Sequence, residues 1–291
     1  MKVLILGSKG QLGQCLNDQL ANTEHEVVYT SRGQIDIAAF EETKAQILEI
    51  SPDIVINATA YTAVDKAQVE RQAADRINHL AVANIANICN QFDCWLMHVS
   101  TDYVFDGNSE VPYKEDNPTN PQGVYGDSKL KGEAAIEASG CNYLIIRTAW
   151  VYSEYGNNFL KTMLRLGADR DELSIVWDQI GCPTYAQDIA KSIVSILSCL
   201  DLKDSSSGTY HYCGDEPCSW YEFARVIFLE AEVHGLKTPS YVKSITTADY
   251  PTPAIRPAYS VLDCSKIESC FDVTRSNWRD GIKTVIDRLQ G

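Results

Sequence analysis

Lys2-Val3-Leu4-Ile5-Leu6-Gly7-Ser8-Lys9-Gly10-Gln11-Leu12-Gly13 decides the fold. A short apolar run ends in a Gly-x-x-Gly-x-x-Gly loop, and Gln11 to Leu20 then follows helical spacing. A strand that turns through glycines into a helix gathers backbone N–H groups and the positive end of the helix dipole, a cradle suited to phosphate. Glu26 to Tyr29 is again short and β-branched, so the opening reads as a βαβ unit. The alternation continues with a helix over 38–50, a strand over 53–57, a helix over 73–90, a strand over 95–99, a helix over 125–138 and a strand over 143–147. Strands separated by helices predict an α/β fold whose doubly wound parallel sheet is covered on both faces.

After Trp150 the pattern becomes irregular, with strands expected over 173–176 and 209–212, helices over 185–197 and 220–232, and a polar surface loop over 201–208. The expected organisation is a nucleotide-binding domain over 1–150. Residues 151–291 should form mainly a smaller interleaved C-terminal lobe with segments that return to the sheet.

The chain has 291 residues, enough to bury a sizeable core. No run of eighteen apolar residues occurs, and the first strand passes straight into Gly-Ser-Lys-Gly, so no membrane partner and a cytoplasmic location are expected. Ten cysteines without a Cys-x-x-Cys pair indicate neither a zinc site nor a disulfide framework, and read as buried free thiols. The net charge of -14 argues against nucleic acid as a partner, while leaving room for a nucleotide held by a helix N-terminus and one or two arginines.

Tyr125 and Lys129 stand four apart and share a helix face. A phenol with a pKa near ~10 becomes a useful acid-base group when an ammonium beside it stabilises the phenolate. Asn57-Ala58-Thr59-Ala60 ends the third strand, where small residues leave room for a ligand across the strand tips.

Taken with Ser100-Thr101-Asp102-Tyr103-Val104-Phe105, Tyr125-Gly126-Asp127-Ser128-Lys129, Arg147-Thr148-Ala149-Trp150, Asp178-Gln179-Ile180-Gly181-Cys182-Pro183-Thr184 and Tyr250-Pro251-Thr252-Pro253-Ala254-Ile255-Arg256-Pro257, these motifs resemble the extended short-chain dehydrogenase/reductases. More narrowly they resemble the dTDP-4-dehydrorhamnose reductase family, over the whole chain. The resemblance implies a Rossmann-type sheet and reduction of the C4 ketone of a nucleotide-linked 4-keto-6-deoxy sugar by a nicotinamide coenzyme. It implies Tyr125 as proton donor to the ketone oxygen, Lys129 as its partner and a ligand of the nicotinamide ribose, and Thr101 as the hydroxyl on the reacting oxygen, with Ser100 beside it. Gly7, Gly10, Gln11, Leu12, Gly13, Asp36, Ile37, Ala58, Ala60, Tyr61 and Thr62 are implied along the cofactor, and Asp102, Tyr103, Trp150, Asn157 and Arg256 along the substrate.

The second strand ends in Thr30-Ser31-Arg32, without the acidic residue that would hold a ribose 2′-hydroxyl. Arg32 either pairs with a 2′-phosphate or stays solvated, so NADPH is the expected coenzyme and NADH the alternative. Some members of the family carry glutamates that help bind magnesium at a dimer contact. Cys15 and Gln187-Asp188 stand at those places, and a thiol and an amide are poor ligands for a hard cation, so no metal is expected and a homodimer is left open. Two rival readings stay in view: a reductase of another sugar nucleotide, and a non-catalytic regulatory relative of the same fold.

Overall fold

The computed structural model describes residues 1–200 and 206–291. Its first half follows the expected alternation: β1 (Lys2–Leu6), α1 (Gln11–Leu20), β2 (Glu26–Thr30), α2 (Phe40–Ile50), β3 (Ile54–Asn57), then α3 (Val64–Ala67), α4 (Arg71–Asp75), α5 (Ala81–Gln91), β4 (Trp95–Thr101), α6 (Val124–Ser139) and β5 (Tyr143–Thr148). Six strands make one sheet in the order Gly208–His211, β5, β4, β3, β1, β2, all parallel. Because β1 has β2 on one side and β3 on the other, the connections leave it in opposite directions. The loops after β1 and β3 therefore part and open a crevice at the strand tips.

Successive side chains in a strand face opposite ways, so the buried sheet needs two apolar faces. Val3, Ile5, Ile54, Ile56, Met97 and Ile146 face a core shared with Leu16 and Leu20 of α1 and with Ile189 and Ile193 of the helix Ala186–Cys199. Leu4, Leu6, Val55, Leu96 and Ile145 face Ile47 of α2 and Val82 and Ile85 of α5. Each fully buried aliphatic side chain contributes about 1.5–3 kcal/mol, so the strands hold the site from below with many independent contacts.

The helix expected over 73–90 is not continuous: a π turn at Arg76–Leu80 joins α4 to α5. The turn carries Asn78, whose Oδ1 accepts the Tyr61 N–H at 2.8 Å while its Nδ2 donates to the Tyr61 carbonyl at 3.0 Å and to Ser128 Oγ at 3.0 Å. The bulge thus ties the loop after β3 to α6.

In the second half, α7 (Phe159–Asp169), α8 (Ala186–Cys199), α9 (Trp220–Val233), α10 (Ser265–Phe271) and α11 (Trp278–Gln290) are present, of which only α8 and α9 are expected from the sequence. Leu160 and Met163, Phe223 and Ile227, Trp278 and Ile282 close a third core among α7, α9 and α11. Glu172–Val176 pairs with Tyr241–Ile245 outside the main sheet. Gly208–His211 returns to β5, and most of the loop expected over 201–208 lies outside the described residues. Eight of the ten cysteines are buried, whereas Cys199 and Cys270 are exposed, correcting the expectation of buried thiols. Among the described residues no helix is long and apolar enough to cross a membrane.

Candidate active site

Gly7 sits at φ +89°, and a Cβ there would lie 2.8 Å from Thr59 Cγ2. At Gly13 a Cβ would lie 2.2 Å from the Gly7 carbonyl oxygen, so only glycine lets α1 start this close to β1. Gly10 opens α1 with no side-chain cap. The first-turn N–H groups of Gln11, Leu12 and Gly13 cannot find carbonyls within the helix, and they face the crevice at the switch point. This arrangement fits a pyrophosphate. Gln11 itself is fixed by Asn158, whose Nδ2 donates to Gln11 Oε1 at 2.7 Å, and Leu12 packs on the core.

On the far rim, Arg32 is 84% exposed and 3.7 Å from the Asp36 carboxylate. Ile37 is buried beneath, and Asp36 Oδ1 accepts the Ala38 N–H at 3.1 Å. Ala58 is tied to β1 through the Leu6 carbonyl, while Ala60 and Thr62 are exposed and the Tyr61 hydroxyl donates to Glu70 at 2.6 Å.

At the tip of β4 the chemistry is buried. Ser100, Thr101 and Asp102 are each at most 5% exposed, and the Thr101 hydroxyl lies against the Tyr125 phenol. Thr101 Oγ1 donates to Asp102 Oδ1 at 3.0 Å and accepts the Tyr103 N–H at 3.2 Å. Burial lifts the Tyr125 phenol well above its ordinary value, Asp102 and Tyr103 add to this, and the Thr101 contact opposes it. The phenol therefore stays protonated across the neutral range, the form an acid catalyst needs. Burial also pushes the Asp102 carboxyl up to about 7 and Tyr103 up to about 12. Ser100 Oγ and Thr148 Oγ1, on neighbouring strand tips, are buried without a hydrogen-bond partner.

Lys129 is one turn from Tyr125 on α6 and 1% exposed. Its Nζ contacts His98 Nε2 at 2.9 Å and donates to the Val99 carbonyl at 2.7 Å, so its hydrogen bonds go to β4. Burial lowers its pKa to about 8 against the opposing pull of Glu133. Glu133 is ion-paired with Arg147 of β5 at 2.7 Å, which clamps α6 onto the sheet. Burial is the largest influence on the Tyr125 phenol.

On the substrate side, Tyr103 meets Tyr125 edge to face at 5.5 Å between ring centroids. Arg256 pairs with Asp65 at 2.8 Å and reaches the Tyr103 hydroxyl at 3.4 Å. Trp150, at φ +47°, is stacked on Trp220 at 3.5 Å and abuts Gly181, where a Cβ would lie 2.5 Å from its ring. Trp220, Gln179, Tyr250, Thr252 and Arg256 line a cavity of about 670 Å³ beside this stack. Asn157 is exposed, whereas its neighbour Asn158 caps α7 by accepting the Lys161 N–H.

The residues at the expected metal positions do not fit a hard cation. Cys15 is fully buried with its thiol pushed up by burial, Gln187 Nε2 donates to Asp18 at 2.6 Å, and Asp188 accepts from Ser276 at 2.7 Å. The Arg288 guanidinium pairs with Glu154 and lies 3.9 Å from Asp18.

Three residues of this centre escape the sequence reading: His98, Asn78 and Trp220. A histidine in the otherwise apolar run Trp95-Leu96-Met97-His98-Val99 is the one signal that would have marked the first, because a buried polar group demands a partner.

The family model described as RmlD substrate binding domain matches residues 1–291. A dTDP-4-dehydrorhamnose reductase of Aggregatibacter actinomycetemcomitans is 42% identical over 288 residues, 98% of each chain. One of Escherichia coli (strain K12) is 37% identical over 293 residues, covering 99% of this chain and 98% of its own. The dTDP-4-dehydrorhamnose reductase structure from Clostridium acetobutylicum matches with a TM-score of 0.92 at 39% identity, covering 100% of both chains. That from Bacillus anthracis, in complex with NADP, matches with a TM-score of 0.90 at 36% identity, covering 99% of this chain and 100% of its own. With its glycine loop, Thr101 against Tyr125, and a match along its full length, the chain belongs to the dTDP-4-dehydrorhamnose reductase family.

Proposed function

We propose that this chain uses NADPH to reduce the C4 ketone of dTDP-4-dehydro-β-L-rhamnose, giving dTDP-β-L-rhamnose. The observation that carries the reading is the Thr101–Tyr125 pair at the β4 tip, with Tyr125 held protonated by desolvation beside the unpartnered hydroxyls of Ser100 and Thr148. NADPH, when bound, supplies the hydride. The Gly7, Gly10 and Gly13 loop and the first turn of α1 would hold its pyrophosphate, with Arg32 at the 2′-phosphate, Asp36 and Ile37 at the adenine end, and Ala58, Ala60, Tyr61, Thr62, Ser100 and Lys129 along the remainder.

Tyr125 gives its proton to the ketone oxygen, and Thr101 holds that oxygen by a hydrogen bond as negative charge grows on it. Asp102, Tyr103, Trp150 and Asn157 orient the sugar, which fixes the face of the ketone presented to the coenzyme. Arg256 takes the diphosphate, because its planar fork matches phosphate oxygens, and the cavity beside Trp220 accommodates the nucleotide. Residues 1–150 would serve the coenzyme and 151–291 mainly the substrate. A cytoplasmic location suits ten cysteines with no disulfide among them. The presence of both Tyr125 and Lys129 weighs against a non-catalytic relative.

The test is NADPH oxidation by the purified protein against a panel of 4-keto sugar nucleotides that differ in base and in sugar. The dTDP-4-dehydro-β-L-rhamnose arm should give the highest kcat/KM, and a clear preference for another sugar would reassign the substrate.

A further inference from the structure

Trp150 leaves the sheet just past Thr148, which stands opposite Thr101 in the β4–β5 register, so its backbone is anchored beside the reacting centre. It does so at φ +47°, a left-handed conformation that a bulky side chain keeps only where its surroundings over-determine it. Those surroundings are two walls. Trp220 lies against one face of the indole, with ring centroids 3.5 Å apart and planes 6° from parallel. A Cβ on Gly181 would lie 2.5 Å from Cε2, 2.6 Å from Nε1 and 2.8 Å from Cζ2 of the same ring. A point closest to the fusion atom Cε2, and almost as close to both its neighbours, stands over the ring and not at its rim. Trp220 fills one face, so Gly181 fills the other, and only a residue without a Cβ fits there.

The two walls are tied to each other. Gly181 pairs with Cys218 and Ile180 with Ser219 in an antiparallel ladder, and Trp220 follows directly as the first residue of α9. A capping box fixes that helix start: Ser219 Oγ accepts the Glu222 N–H at 3.1 Å, and the Glu222 carboxylate accepts the Ser219 N–H at 2.7 Å. Phe159 leans on Trp220 at 4.6 Å between ring centroids, and the Trp150 carbonyl accepts the Thr184 N–H at 3.2 Å.

We propose that Trp220 is a positioning residue for the substrate: with Gly181 it clamps Trp150, so that the indole meets the sugar with its edge and cannot stack on it. The role rests on the reductase reading, in which Trp150 orients the sugar. An edge held from both faces fixes a distance to the ligand, and placement to within about 1 Å is what turns binding into rate.

Two variants separate the clamp from mere packing. Trp220→Phe keeps a flat face for Trp150, and Trp220→Leu fills the same apolar core without one. The indole ¹H–¹⁵N resonance of Trp150, assigned by its loss in Trp150→Phe, reports the clamp without turnover. By heteronuclear NOE it should be rigid in wild type and in Trp220→Phe, and mobile in Trp220→Leu. kcat/KM for the sugar nucleotide should fall on the order of 10²-fold in Trp220→Leu and largely recover in Trp220→Phe, with NADPH affinity unchanged in both. Gly181→Ala, which pushes the ring from its other face and leaves Trp220 in place, should lower kcat/KM likewise. Trp220 also lines the neighbouring cavity, so Trp220→Leu is repeated in a Trp150→Ala background. Action through Trp150 makes it nearly silent there, whereas a full effect would mean direct contact with the nucleotide and overturn the proposal. A Trp150 indole that stays rigid in folded Trp220→Leu would overturn it too. If the NMR split appears while no sugar nucleotide is reduced, the clamp stands and the reductase reading fails.

Discussion

The two sides of the crevice are built on opposite principles. At the β4 tip, Thr101, Asp102 and Lys129 are buried and Tyr125 is half-buried beside them, and desolvation has already shifted each titratable one before any ligand arrives. Across the strand tips, Arg32 is 84% exposed and pairs with Asp36, and Ala60 and Thr62 lie open. The buried side can fix a protonation state because water is excluded; the exposed side can only acquire a role when a ligand brings charge to it. On the proposed function, chemistry is therefore preorganised and coenzyme choice is assembled on binding.

This contrast breaks most visibly at Tyr125. Tyr125→Phe should lower turnover by about 10²–10⁴-fold while leaving NADPH affinity nearly intact, because only the proton donor is removed. Pre-steady-state kinetics with a separate NADPH titration checks it, and a variant retaining more than about a tenth of wild-type chemistry would remove Tyr125 from the role. On the exposed side the loss should be smaller and selective. Arg32→Ala should weaken NADPH by about 1.5–3 kcal/mol, read as a rise in its KM, and leave NADH almost unchanged. Equal effects on both coenzymes would return Arg32 to the solvent.

Asp102 sharpens the buried half through stability. Its carboxyl titrates at about 7 in the fold but near 3.8 when unfolded, so between these values the folded chain binds the extra proton. The stability this proton supplies is complete below pH 3.8 and is lost as pH rises through about 7. Thermal melts should show wild type declining across that window relative to Asp102→Asn, which has nothing to titrate. The smallest effect is expected from EDTA. With Cys15 buried and Gln187 bonded to Asp18, activity and oligomeric state should not change, and a dimer that dissociates on chelation and re-forms with magnesium would contradict this.

What the sequence discloses follows the same divide between local and distant causes. β1 to β5 are legible because parallel strands are continuous apolar runs, and Tyr125 and Lys129 because a helix converts spacing four into one face. α11 also carries its signal, with Trp278, Ile282, Val285 and Ile286 buried on one stripe, although the expectation above leaves it out. The partner of Lys129 is not legible in this way, since His98 lies 31 residues away and meets it only when β4 slides under α6. Trp220 reaches Trp150 through the lobe containing α7 and α9, and the π turn of Asn78 breaks a helix whose apolar spacing continues through it. These are tertiary facts, and local periodicity does not encode them.

The most direct test is the fate of a label. NADPH deuterated at C4 of the nicotinamide ring, incubated with the protein and dTDP-4-dehydro-β-L-rhamnose, should yield dTDP-β-L-rhamnose carrying deuterium at C4 of the sugar, seen by NMR as loss of that proton's signal. Product without deuterium at C4, or with the opposite configuration there, would contradict the account.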